Sequence, residues 1–388
     1  MAIERLIPVE RAVRGAFVRA VAAAVRTPGN LPLPEWSARP HTVLVLRPEG
    51  VGDLILTTGL LRAIHERHPS IALDVLTVPN NAPVLEGNPH VRRVHLADPA
   101  ARLAHWRWLP ALRAERYDAV VDAMVAHQVV KTRTVVQLAA LGVRRRVGIG
   151  GRENDLLYTL PVAPPPPTPD GREPHQVELI GSLGAAFGVA PDADLAPRLY
   201  LADDERAAAG ACWALAAPGG RAQGPRVLMN FSISPARAPW RRWPVDRFAA
   251  LAAHLRRTHP DVAILVLSLP HDRDAASLVA AAGGGVAREP SLREMFALVE
   301  AADLVFTPDT GLVHVASATG TPAVVVTLPE ALSFAPYRIP GAMLCAQGQD
   351  IAQIGLETAT AAVDDALGQW RTRRPDRGPL PCPLSGGR

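Results

Sequence analysis

The residues best suited by type and spacing to do chemistry are Asp309, Thr310, Gly311 and His314, in the run Thr307-Pro308-Asp309-Thr310-Gly311-Leu312-Val313-His314. An apolar stretch, 302–306, precedes them, and small helix-forming residues, 315–319, follow. That order predicts a strand, a tight turn and a helix start. Asp309 or Thr310 can cap the helix, Gly311 lets a ligand approach the backbone, and the first-turn N–H groups make an anion site. His314 comes four positions after Thr310, one turn further along the same face. A diphosphate suits such a turn.

A second candidate is Leu46-Arg47-Pro48-Glu49-Gly50-Val51-Gly52-Asp53, which ends an apolar strand over 42–46. Gly50 and Gly52 spell G-x-G, but Ile55 occupies the third glycine position, so this is no dinucleotide fingerprint. No G-K-[ST] follows, so it is no P-loop either. The turn carries Asp53 to the strand's carboxyl end, where it can serve as a general base or as a plain helix N-cap. Gly52, beside it, is assigned to donor binding.

Further along stands Trp240-Arg241-Arg242-Trp243-Pro244. Pro244 fits the first turn of a helix. Arg241 and Arg242 precede it and can hold phosphate oxygens in bidentate forks, or form a solvated basic loop. Trp243 is assigned to packing. Ser232 and Ser234, after an apolar strand over 227–231, join the donor side. Asp272 or Asp274, after the strand over 262–269, can take ribose hydroxyls or cap a helix. Asp192-Ala193-Asp194 is read as a solvated loop, not a metal site. For an acidic acceptor the basic candidates are Arg62, Lys131, Arg133 and His175, with Arg172 beside them; a solvated basic face is the alternative. The run Arg144-Arg145-Arg146 is expected on the surface between elements.

These residues need a scaffold, and the pattern from His41 onward supplies one. Short apolar runs at 42–46, 73–78, 91–96 and 119–121 alternate with helical stretches, beginning with 54–67. That alternation predicts a parallel sheet covered by helices. A proline-rich loop over 163–176 and a helical stretch over 177–187 follow. A second series has strands at 227–231, 262–269, 304–306 and 323–328, and helices at 246–258, 273–282 and 292–301. The expectation is α/β: two facing Rossmann-like, doubly wound parallel-sheet domains, over 41–205 and 206–370. A helical extension precedes them at 1–40 and a flexible tail follows at 371–388. Ligands of such sheets sit beyond the carboxyl ends of the strands, so the motifs should line a cleft.

Composition sets outer bounds. The chain has 388 residues, enough for two or three domains, and its 48% hydrophobic content excludes a disordered chain. A net charge of +4 suits anionic ligands but is too small to argue for nucleic acid. Cys212, Cys345 and Cys382 are scattered, which points to a reducing compartment without a disulfide framework or zinc site. No apolar run is long enough to span a bilayer. Val13, Phe17, Val21 and Ala24 recur at helical spacing, with Arg11, Arg19 and Arg26 turned away from them. Such a helix either packs on the protein's own surface or lies on a membrane.

Three motifs in order carry a family resemblance: R-x-x-x-x-G-D-x-x-x-T-T at Arg47 to Thr58, R-R-W-P at Arg241 to Pro244, and D-T-G-L-x-H at Asp309 to His314. Over roughly 42–330 the chain resembles glycosyltransferase family 9, the lipopolysaccharide heptosyltransferase family. The resemblance implies a GT-B fold and an inverting, metal-independent transfer from a nucleoside-diphosphate sugar, typically ADP-heptose. It implies Asp53 as base, and the D-T-G segment with Arg241 as diphosphate ligands; Arg241 stands where the family usually has lysine. Phe231-Ser232 replaces the family's usual Pro-Gly pair. The implied partners are the nucleotide sugar and a glycan or lipid-linked acceptor, with no further cofactor and no nucleic acid. The implied location is cytoplasmic, peripherally on the inner membrane if residues 1–40 bind lipid. The alternatives are a family member acting on a protein or natural-product acceptor, a non-catalytic GT-B scaffold, and another GT-B enzyme such as a nucleotide-sugar epimerase.

Overall fold

A computed structural model of the chain describes residues 31–97, 107–124, 132–151, 157–220, 224–233 and 239–373, with a few helical positions between 16 and 23. Most of the expected N-terminal helix, Lys131, the side chain of Arg133, Ser234, Cys382 and the tail after 373 lie outside the described residues. The chain divides into two compact units, Met1–Pro197 and Arg198–Arg388.

The first unit is built on β1 (His41–Leu46), β2 (Ile71–Thr77), β3 (Arg93–Leu96), β4 (Ala119–Asp122), β5 (Arg145–Ile149) and β6 (Leu160–Val162). They form one parallel sheet in the order β3-β2-β1-β4-β5-β6. Alternation of apolar and polar residues is absent from β1: Val43, Leu44, Val45 and Leu46 are all fully buried, as expected of a parallel strand covered on both faces. α1 (Val51–Arg67) follows β1 and buries an unbroken run from Leu54 to Leu61, so it is a core helix rather than an amphipathic one. Gly59 lets it approach the 195 segment, where a Cβ would stand 2.0 Å from the Leu195 carbonyl oxygen. Val21, half-buried, packs against the core of this unit, which favours packing on the protein's own surface for that part of the N-terminal helix.

The second unit repeats the plan with β7 (Arg226–Asn230), β8 (Ala263–Leu267), β9 (Val286–Arg288), β10 (Leu304–Pro308), β11 (Ala323–Thr327) and β12 (Gly341–Cys345). Its parallel order is β12-β11-β10-β7-β8-β9. Counted within each unit, both sheets have the same doubly wound order, 3-2-1-4-5-6, the second being read from its opposite edge. The topological switch points therefore fall between β1 and β4 and between β7 and β10. Trp243, Phe248 and Phe306 interlock edge-on in the second core, with centroids 5.0–5.4 Å apart. The Trp243 indole N–H donates to the Ile354 carbonyl at 2.8 Å, so this residue does pack.

Several elements carry no clear sequence signal. The run Arg144-Arg145-Arg146 is not wholly on the surface: β5 begins inside it, and Arg146 is buried. Its guanidinium donates to the Leu157 and Val143 carbonyls at 2.7 and 3.0 Å, which compensates the lost hydration of the charge. Residues 203–216 span the boundary expected between the domains at 205 and 206, yet form α2 (Asp203–Ala216), with Trp213 fully buried. Among the described residues no helix is long and apolar enough to cross a membrane.

Candidate active site

At the first switch point, Arg47 directly follows β1 with its whole side chain buried. A buried guanidinium must place its donors, and each nitrogen has an acceptor. Nη2 donates to Asp53 Oδ1 at 3.0 Å and Nε to the Asp53 carbonyl at 3.2 Å. Nη1 donates to the Ala123 carbonyl and stands 3.5 Å from Glu49 Oε2. The Gly50 amide donates to Asp53 Oδ2 at 3.2 Å, closing the first turn of α1, while Asn81 holds the Glu49 carbonyl. Asp53 is thus both part of the helix cap and a fixed, 27% exposed carboxylate. It can still meet a substrate.

Beside it, Asp122 ends β4, opposite Leu46 of β1. Its carboxylate is buried; Oδ2 accepts from Tyr158 Oη at 2.6 Å and Oδ1 from the Met124 amide at 3.0 Å. Burial pushes the Asp122 carboxyl up to about 6, against the opposing pull of those bonds and of Arg47. Burial and Asp122 together push the Tyr158 hydroxyl well up. Tyr158 is seated on Gly148, where a Cβ would meet the ring at 2.2 Å.

At the second switch point β10 delivers Thr307 to Gly311. Thr310, not Asp309, caps α3 (Gly311–Thr319), its Oγ1 accepting from the Leu312 amide at 3.3 Å. Asn230, ending β7, donates to Thr307 Oγ1 at 3.0 Å and Thr310 Oγ1 at 3.4 Å, so three buried or half-buried polar groups set the turn. Gly311 is exposed at the positive end of the helix dipole. Asp309 Oδ2 accepts from Arg241 Nη1 at 3.2 Å, and Arg241 Nη2 donates to Glu330 Oε1 at 3.0 Å. Arg242 pairs with Asp272 at 3.5 Å and donates to the Ile233 carbonyl at 3.3 Å. Asp272 occupies the N-cap position of α4 (Arg273–Ala282) without a side-chain capping bond, and lies 3.1 Å from His271. Ser232 Oγ accepts from the Leu269 amide at 3.1 Å. His314 is buried, its ring 6.1 Å from that of Phe334.

A sequence profile described as "Glycosyltransferase family 9 (heptosyltransferase)" matches residues 104–330, more than half of the chain. The chain belongs to glycosyltransferase family 9. It is therefore a glycosyltransferase. It is 26% identical over 318 residues to lipopolysaccharide heptosyltransferase 2 of Salmonella typhimurium, covering 76% of this chain and 84% of that one. The Escherichia coli protein of the same name is 26% identical over 315 residues, with the same two coverages, 76% and 84%. Among solved structures, a glycosyltransferase family 9 protein from Veillonella parvula superposes with a TM-score of 0.72 at 17% identity, over 86% of this chain and 99% of that chain. The E. coli ADP-heptose lps heptosyltransferase II does so with a TM-score of 0.65 at 21% identity, over 85% and 99%. These likenesses fix the GT-B fold class expected from sequence. The family match begins at residue 104, so it covers the Arg241 and Asp309 turns but not the Asp53 turn.

Within each unit the structure gathers most of the sequence candidates at a switch point: Gly52 and Asp53 in the first; Ser232, Arg241, Arg242, Asp272, Asp309, Thr310, Gly311 and His314 in the second. Asp274 lies in the first turn of α4. Two acceptor candidates are occupied by their own unit. Arg62, nine residues along α1 from Asp53, donates to Asp194 Oδ2 at 3.0 Å and to the Asp194 and Ala196 carbonyls at 2.8 and 3.2 Å. The D-x-D loop is therefore anchored by an arginine. His175 caps α5 (Gln176–Gly181), its Nδ1 accepting from the Val177 amide at 3.1 Å. Arg172 is paired with Asp170 at 2.5 Å. The sequence marks Asn230 only as a polar residue closing an apolar strand, and it carries no signal for Glu330 or Tyr158.

Proposed function

We propose that this chain is an inverting heptosyltransferase that moves heptose from ADP-heptose to a hydroxyl of the lipopolysaccharide core. The sugar and acceptor are taken from what the relatives are named for. The observation that carries the reading is the gathering of Arg241, Asp309 and the N-terminus of α3 at one switch point, which suits a diphosphate.

In this reading the acceptor hydroxyl gives its proton to Asp53 as its oxygen bonds to the anomeric carbon. The bond from that carbon to the diphosphate oxygen breaks on the opposite face, so configuration inverts. The electron pair leaves on the diphosphate, where charge is met by Arg241, Arg242 and the helix end at Gly311. Those groups supply the stabilisation a divalent ion would otherwise give, so we expect EDTA to leave turnover unchanged. Arg241 must exchange at least one of its carboxylate partners for a phosphate oxygen when the donor binds. Asp272 and Ser232 line the nucleoside side. An acidic acceptor sugar is met by Lys131 and Arg133, which follow β4, rather than by Arg62 or His175. We place the reaction in the cytoplasm.

The test is a thermal-shift comparison of ADP, GDP and UDP, followed by product analysis with ADP-heptose and a heptose-deficient lipopolysaccharide. A ligand at a hundred times its Kd adds about 2.7 kcal/mol, a readily measured shift. We expect ADP to shift the protein most and the product to carry one added heptose of inverted linkage. A shift with UDP alone, or retained anomeric configuration, overturns the reading.

A further inference from the structure

The Arg47 side chain has a second property beyond its burial: its three nitrogens together join two segments of the first switch point. Nε and Nη2 hold the first turn of α1 through Asp53, and Nη1 holds the loop after β4 through the Ala123 carbonyl. The β4 loop is itself pinned. Asp122 accepts from the Met124 amide at 3.0 Å and from Tyr158 Oη at 2.6 Å, and Tyr158 sits against Gly148 of β5. One rigid path thus runs from β5 through Tyr158, Asp122, Ala123 and Arg47 to the Asp53 carboxylate.

A fully buried guanidinium is costly to desolvate and is a poor device for stability alone, since an apolar side chain at a strand end packs without that cost. What the fork does supply is orientation. Two nitrogens grip one residue, on its carbonyl and its carboxylate, which fixes the Asp53 side chain as well as its backbone. The Oδ2 edge, held lightly by the Gly50 amide at 3.2 Å, is left toward solvent.

We propose that Arg47 is a positioning residue, whose guanidinium, braced by the Ala123 carbonyl and the Asp122–Tyr158 pair, aims the Asp53 carboxylate at the acceptor hydroxyl. This rests on the reading of Asp53 as the base. Lysine cannot replace it: a point charge on a flexible stem keeps the ion pair and loses the fork. The defect then falls on turnover rather than on nucleotide binding, because the residues assigned to the diphosphate lie in the other unit.

The experiment compares Arg47→Lys, Tyr158→Phe, Asp53→Asn and the Arg47→Lys/Asp53→Asn double variant. Readouts are ADP release from ADP-heptose in the presence of heptose-deficient lipopolysaccharide, and ADP affinity by calorimetry. We expect Arg47→Lys to lower kcat by about 30-fold or more and Tyr158→Phe by about 3- to 10-fold, with the ADP Kd within about twofold of wild type. In the double variant the Arg47→Lys step should cost less than about twofold, because a group acting only through Asp53 has nothing left to aim. A merely structural arginine would lower activity by the same factor in both backgrounds, and that result overturns the inference. So does an Arg47→Lys protein with wild-type kcat while Asp53→Asn is inactive. Full activity of Asp53→Asn removes the base assignment itself, and the positioning role with it. If Arg47→Lys fails to fold, Tyr158→Phe, which loses a single oxygen, carries the same pair of comparisons with Asp53→Asn.

Discussion

At the carboxyl end of β1 the charges are sunk into the protein, and at the carboxyl end of β10 they are held nearer its surface. Both places are the switch point of a doubly wound six-stranded sheet. In the first, Arg47 and Asp122 are buried and every hydrogen bond is to a fixed partner. In the second, Arg241 and Asp309 are 26% and 18% exposed, and Glu330 is 58% exposed. The difference suits the two tasks proposed for them. A base needs one carboxylate held in one direction, whereas a diphosphate site needs cations whose present partners can be exchanged for phosphate oxygens. The same topology thus carries a buried, fully paired end and a more exposed one.

The contrast breaks most visibly at Asp53. Asp53→Ala should lower kcat by about 10²- to 10⁴-fold while leaving ADP affinity unchanged, as measured by ADP release and calorimetry. Full turnover by that variant would remove the chemical distinction between the two ends.

Asp122 tests the buried character of the first end. Its folded carboxyl titrates at about 6, above the ordinary value of 3.8. The folded state therefore holds this proton to higher pH than the unfolded state does. The stability it contributes is complete below the ordinary value and is lost as pH rises through about 6. Asp122→Asn has no such loss. Relative to wild type it should gain on the order of 2–3 kcal/mol between about pH 4 and pH 7 in urea unfolding. The groups around Asp122 are Tyr158, Arg47 and Glu49, and the carboxyl of Glu49 adds to the upward push. A pH-independent gap would mean that Asp122 is better solvated than its burial indicates.

The second end is tested by Arg241→Ala, which should weaken ADP binding by about 10- to 100-fold, with Arg241→Lys intermediate. An unchanged Kd would leave the helix N-terminus as the whole diphosphate site. The smallest effect is expected at Glu330. Glu330→Gln removes the charge that competes for Arg241 in an exposed pair, so ADP binding should tighten by up to about threefold, and less in high salt. Weaker binding instead would show that Glu330 orients Arg241 rather than competing with phosphate.

Much of the fold is legible because parallel strands buried on both faces read as unbroken apolar runs. β1, β8 and β11 stand out for that reason. β5, β9 and β12 do not, since β5 opens on two arginines and β9 and β12 are only partly buried over most of their length. The turns at Asp53 and Asp309 are legible because glycine beside an acid at a strand end has few structural uses. Asn230 and Tyr158 are not, because each is an ordinary residue whose importance lies in a partner distant in the chain: Thr307 for Asn230, and Asp122 for Tyr158.

The amino-acid order by itself settled that β/α units alternate, that two series exist, and which turns carry acids, arginines and glycines. Those properties are local: hydrophobic period, strand length and turn chemistry act over a few residues. Which charges are buried, which are exchangeable and which residue grips which was decided only in three dimensions. Strand order brings residues tens of positions apart to the same switch point, and the cost of desolvating an ion depends on all that surrounds it. Arg47 and Arg241 carry the same side chain, and only their surroundings bury one among protein acceptors and leave the other partly exposed beside two carboxylates.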